Sequence, residues 1–184
     1  MKNLNFVTRN KDKVREFKAI LGDDFEIEQI DIDYGELRSD EPEEIVKEAV
    51  KKLASELKKA VVVEDSGLFI KALNDFPGTC SAYVHKRIGL KGILKLMENI
   101  KNRECVYKSA VGYCEPGKEP VSFLGEEEGE VLGEIRGSYG FGHDPIFIPE
   151  GSTLTYGEME NVETVKKFRR RAIEKLKEYL NKGE

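Results

Sequence analysis

The sequence predicts an α/β fold, a mixed β-sheet flanked by helices, in a single domain spanning residues 1–184. Two observations carry that expectation. Strand-like and helix-like periods alternate through the first third of the chain, and hairpin-like strands follow later. A third observation bounds it: no Pro-, Gly- or Ser-rich linker divides the chain, and no internal repeat or low-complexity tract occurs.

The elements follow in order. Leu4, Phe6 and Val7 mark a buried strand, and Val14, Phe17, Ile20 and Leu21 recur at helical spacing. Phe25 to Ile32 alternates apolar and polar residues and reads as a second strand. Tyr34 to Glu41 is an acidic loop, and Pro42 suits the first turn of a helix. That helix carries a clean apolar stripe of Ile45, Val46, Ala49, Val50, Leu53, Ala54 and Leu57. Val61 to Val63 predicts a short buried strand, ended at once by Glu64-Asp65-Ser66-Gly67. Phe76-Pro77-Gly78 is a turn, and Ile93 to Ile100 is helical. Glu104 to Tyr113 and Val121 to Ile135 read as long strands joined through Pro116-Gly117. Gly137 to Gly142 is a glycine-rich loop, and Met159 to Leu180 closes the chain as one helix.

Composition narrows the classes of function. The net charge of -5 argues against a nucleic-acid or anionic-membrane partner. No apolar run is long enough to span a bilayer. Cys80, Cys105 and Cys114 are odd in number and form no C-x-x-C pair, which points to reduced thiols and a cytoplasmic protein rather than a disulfide framework or zinc site. His85 and His143 lack His or Cys partners at ligand spacing. No G-x-S-x-G elbow and no Walker pattern occurs.

The chemistry-bearing residues gather at predicted element ends. Thr8, Asn10, Lys13 and Glu16 form T-x-N-x-x-K-x-x-E where a strand gives way to a helix. A helix start offers unpaired N–H groups and the positive end of the dipole, and a Lys one turn in suits phosphate. The same residues also fit an ordinary N-cap with a solvated Lys. Glu36 lies in the loop Tyr34-Gly35-Glu36-Leu37-Arg38-Ser39-Asp40; it reads either as a solvated carboxylate or as a metal ligand. Glu64 and Asp65 follow the Val61–Val63 strand, at the edge where open α/β sheets place ligands. Carboxylates there suit Mg2+, and adjacent acids allow one to take a proton from water.

Four blocks together resemble the inosine triphosphate pyrophosphatase family, which hydrolyses XTP, ITP and dITP to the monophosphate and pyrophosphate. They are T-R-N-K-D-K-V-R-E (Thr8–Glu16), V-V-E-D-S-G-L (Val62–Leu68), F-P-G-T-C-S-A (Phe76–Ala82) and G-F-G-H-D-P-I-F (Gly140–Phe147). The resemblance implies a two-lobed α/β fold with a long mixed sheet, a central cleft holding the site, and a homodimer. It implies that Thr8, Asn10 and Lys13 hold the triphosphate. Glu36 and Asp65 would bind Mg2+, with Asp65 accepting the proton of the attacking water. Ser66 would contact the nucleotide, Phe141 would stack on the purine, and Gly142, His143 and Asp144 would line the base pocket.

One region departs from the family pattern K-N-x-x-S-H-R. Aligned on Ala172, Arg169 takes the place of the motif Arg, Phe168 that of His and Lys167 that of Ser; the motif Lys is either Lys166 after a shift or absent. Phe168 shares an apolar stripe with Val165, Ala172 and Leu176 and is expected in the core. Arg169, one step round, is expected to donate to the 6-keto oxygen of the base and to matter little for stability. The basic run Lys166–Arg171 reads first as a solvated helix face. Two alternatives remain open: a nucleotide-binding protein with little turnover, or a relative acting on another modified nucleotide.

Overall fold

The computed structural model describes residues 2–182. Its sheet has six strands in the order β2-β1-β3-β4-β5-β6. They are β1 (Lys2–Val7), β2 (Phe25–Ile30), β3 (Val61–Ile70), β4 (Glu104–Cys114), β5 (Val121–Val131) and β6 (Phe147–Pro149). The helices are α1 (Lys11–Leu21), α2 (Pro42–Leu57), α3 (Ser81–Leu96), α4 (Val162–Val165) and α5 (Lys167–Lys182). β1 runs parallel to β2 and β3, whereas β5 and β6 are antiparallel, so the sheet is mixed. Strand–helix–strand units must be parallel across their crossover, which accounts for the first half.

The chain divides into two compact units. One comprises Met1–Asp65, Ser109–Gly125 and Arg169–Glu184; the other comprises Ser66–Lys108 and Glu126–Phe168. In the first unit, Phe6 stacks on Phe17 with ring centroids 4.1 Å apart and joins Leu21, Val62, Val111 and Ile173. The α2 stripe buries Val46, Val50 and Leu53 with Val7, Val61 and Val63. Each such aliphatic side chain contributes about 1.5–3 kcal/mol on burial. In the second unit, Leu68, Ile70, Ile93, Tyr107, Phe147, Tyr156 and Phe168 form the core.

Five elements differ from the sequence expectation. β3 does not stop at Val63 but continues to Ile70, so Glu64 and Asp65 lie within the strand. Leu68, Phe69 and Ile70 are buried and carry it onward. Gly67 makes this possible, because a Cβ there would sit 2.0 Å from the Gly78 carbonyl oxygen. α3 begins at Ser81 and is interrupted at Gly89, whose φ is 62°. β6 is an added short edge strand, and β5 ends at Val131 rather than Ile135. The closing helix is broken: Lys166 is extended, with φ -63° and ψ 100°, between α4 and α5.

Candidate active site

In the first unit, the strand-to-helix junction is organised as its sequence suggested. Thr8 Oγ1 accepts from the Asn10 N–H at 3.1 Å. Asn10 Oδ1 accepts from the N–H groups of Asp12 at 2.8 Å and Lys13 at 3.3 Å, so Asn10 caps α1. Lys13 is not solvated. Its Nζ donates to the Glu64 carbonyl oxygen at 2.8 Å and pairs with Glu64 Oε2 at 2.7 Å. Thr8, Lys13, Tyr34, Glu36 and Glu64 line one cavity of about 200 Å³.

Glu64 is the hub of this half. Its Oε1 accepts from Ser109 Oγ at 2.7 Å and from Arg169 Nε at 3.1 Å. Burial opposes ionisation of its carboxyl, but Arg169, Lys13 and the Ser109 hydroxyl overcome it and hold the pKa at about 2. Arg169 Nη1 pairs in turn with Glu16 Oε2. Arg169 and Glu16 are each only 1% exposed. The expectation of a stability-neutral Arg169 is therefore corrected: its guanidinium bridges two buried carboxylates. Glu16 closes the T-x-N-x-x-K-x-x-E pattern, and its burial on α1 is a structural finding that no local sequence signal announced.

The negative charge converges on Tyr34. Burial pushes its phenol up, and the field of Glu36, a hydrogen bond to Glu36, and the charges of Asp65 and Glu64 push it further. Such a concentration of carboxylate oxygens fits a hard cation. Among the described residues, no three His, Cys, Asp or Glu side chains form a ready-made metal group. Mg2+ is commonly held by one or two carboxylates with substrate phosphates completing the shell, and Glu36 with Asp65 fits that donor set.

In the second unit, the glycine-rich loop folds around Asp144. Asp144 is fully buried, and its Oδ2 accepts from the Phe141 N–H at 2.7 Å. Gly140 has φ +72°, and a Cβ there would meet Asp144 Oδ2 at 2.1 Å, so only glycine fits. Lys166, 1% exposed, places Nζ 2.7 Å from Asp144 Oδ2 and 4.3 Å from the centre of the Phe141 ring. Lys166 thus joins Phe141 and Asp144. His143 is 2% exposed and edge-on to His85 at 5.3 Å. Burial, and then His85, lowers its pKa to about 4, so the ring is neutral at pH 7. Gly142 adopts φ +65° beside it. Ser66 lies half-buried on β3. Phe168 is 1% exposed and stacks on Tyr107 at 4.3 Å, so its expected place in the core holds.

A sequence model of the Ham1 family matches residues 4–179. The chain belongs to the Ham1 family. A curated relative from Methanopyrus kandleri, named dITP/XTP pyrophosphatase, is 49% identical over 95% of this chain and 94% of its own. A second of the same name, from Methanosarcina acetivorans, is 43% identical over 98% of each chain. The Staphylococcus aureus Ham1 protein superposes with a TM-score of 0.86 at 28% identity, over all of both chains. The open α/β fold with a mixed sheet is therefore the Ham1 architecture, and the resemblance carried by the four sequence blocks holds.

Proposed function

We propose that this Ham1-family chain is a nucleoside triphosphate pyrophosphatase that converts dITP, ITP and XTP to the monophosphate and pyrophosphate with Mg2+. The observation that carries the reading is the convergence of Lys13, Thr8, Glu36 and Glu64 on one cavity at the start of α1. The names of relatives sharing up to 49% of residues over nearly the whole chain support the same substrates.

Lys13, Thr8 and Asn10 bind the triphosphate, with Glu64 fixing the lysine ammonium so that little of its rotamer entropy is lost on binding. Glu36 and Asp65 would hold Mg2+, which when bound would supply charge neutralisation for the phosphoryl oxygens. Asp65 accepts the proton of the water that attacks the α-phosphorus, and pyrophosphate leaves. Arg169 enters through Glu64 rather than as a direct donor to the base. Phe141 offers one face to the purine and the other to Lys166. Ser66 contacts the nucleotide, and Gly142, His143 and Asp144 line the pocket for the base. A donor aimed at a 6-keto oxygen is left unpaired by adenine, and polar sites of this kind discriminate by roughly 10^4–10^5-fold.

The reading includes a single domain that works as a cytoplasmic homodimer. Three free thiols suit a reducing compartment, and Tyr83 and Ile88, 62% and 44% exposed on α3, offer apolar surface for a second copy. A pyrophosphate-release assay with Mg2+ over ITP, XTP, dITP, GTP, ATP and dUTP tests the activity. Strong turnover of the first three and weak turnover of ATP is the expected pattern; equal rates for all six would remove the assigned selectivity.

A further inference from the structure

Lys166 stands where a helix needs a cap. It immediately precedes α5, and a residue in that position ordinarily carries Ser, Thr, Asp or Asn to accept the first N–H groups. A lysine has no acceptor. The missing acceptor comes from another strand. Glu127 on β5 is 4% exposed, and its Oε2 accepts from the N–H groups of Lys167 at 3.0 Å and Phe168 at 3.2 Å. The Tyr156 hydroxyl donates to the same oxygen at 2.5 Å and fixes the carboxyl. Glu127 thus supplies in trans what position 166 lacks, and the lysine side chain is released toward Asp144 and Phe141.

We propose that Glu127 is a positioning residue for base selection, acting through Lys166. Without the trans cap, the first turn of α5 would seek another acceptor and the extended backbone at Lys166 would relax. The ammonium would then leave the Phe141 face. This rests on the nucleotide reading above, in which Phe141 stacks on the purine. The charge of Glu127 also suits the positive end of the α5 dipole.

The readout is the ratio of kcat/KM for ITP to that for ATP, measured on one preparation, so that the folded fraction cancels. Glu127→Leu keeps bulk but removes the acceptor. It should lower the ratio about fivefold, the factor a lost cap of ~1 kcal/mol corresponds to. Glu127→Gln keeps an acceptor oxygen and should stay within about twofold of wild type. In a Lys166→Gln background the Glu127→Leu effect should vanish, because both changes act on one route. If Glu127→Leu does not fold, Tyr156→Phe, which removes the hydroxyl orienting Oε2, should shift the ratio in the same direction. An unchanged ratio in the folded variants, or an effect that persists in full without Lys166, overturns the inference. A wild-type protein that does not hydrolyse ITP overturns the functional reading itself, and that result is seen before any variant is made.

Discussion

Replacing Arg169 by Ala should unfold the protein far more readily than its place in a basic run suggests. The guanidinium is 1% exposed and joins Glu16 and Glu64, which are 1% and 5% exposed. Truncation leaves two carboxylates buried with their main counter-charge gone. Breaking a buried pair by removing one partner costs about 3–5 kcal/mol. For a chain of this size each kcal/mol lowers Tm by roughly 2–4 °C, so the melting temperature should fall by roughly 6–20 °C. Differential scanning calorimetry at pH 7 measures this. Two further variants separate charge from packing. Arg169→Ala combined with Glu16→Gln should recover part of the loss, because one uncompensated charge is removed. Arg169→Lys should recover little, since a single ammonium cannot bridge two carboxylates held at separate nitrogens. A fall of less than about 2 °C for Arg169→Ala, worth under ~1 kcal/mol, would refute the buried bridge.

Other outcomes follow from the same geometry. Asp65→Asn should fold normally and lose about 10^3-fold or more in kcat, as its proposed role of proton acceptor requires; retention of a tenth of wild-type kcat contradicts that role. Lys13→Ala should weaken ITP far more than IMP by calorimetry, because its ammonium lies with Thr8 and Glu36 in the cavity proposed to hold the triphosphate; equal losses for both ligands count against the assignment. The Glu64 pKa of about 2 lies below its ordinary value of 4.5, so its contribution to stability is complete above pH 4.5 and fades as pH falls toward 2. That contribution is on the order of 3 kcal/mol. Acid unfolding of Glu64→Gln should therefore be flatter between pH 5 and 2 than that of wild type, and parallel curves would refute the assignment.

Periodicity and turn residues made most of the fold legible, and the failures have physical causes. The α2 stripe was readable because one apolar face repeats cleanly over sixteen residues. β3 was cut short because Glu64-Asp65 looked like a strand end; in the structure two cations and a hydroxyl stabilise Glu64 within the strand. No local pattern reveals a partner that lies 105 residues away in sequence, as Arg169 does. The break at Lys166 was hidden for the same reason, since the cap of α5 comes from Glu127, 40 residues before Lys167. The cap at the start of α1 was legible because Thr8, Asn10 and Lys13 fall close together in sequence where a strand gives way to a helix. The placement of Lys166 beside Phe141 and Asp144 was not, because it depends on tertiary capping.

Hydrolysis at the α-phosphorus can be tested by following the oxygen of water. ITP is incubated with the protein and Mg2+ in ¹⁸O-water, and the products are separated and weighed by mass spectrometry. Attack of water on the α-phosphorus gives IMP and pyrophosphate in equal amounts, with the label in the phosphate of IMP and none in pyrophosphate. Label in pyrophosphate, or formation of IDP and orthophosphate, would contradict it.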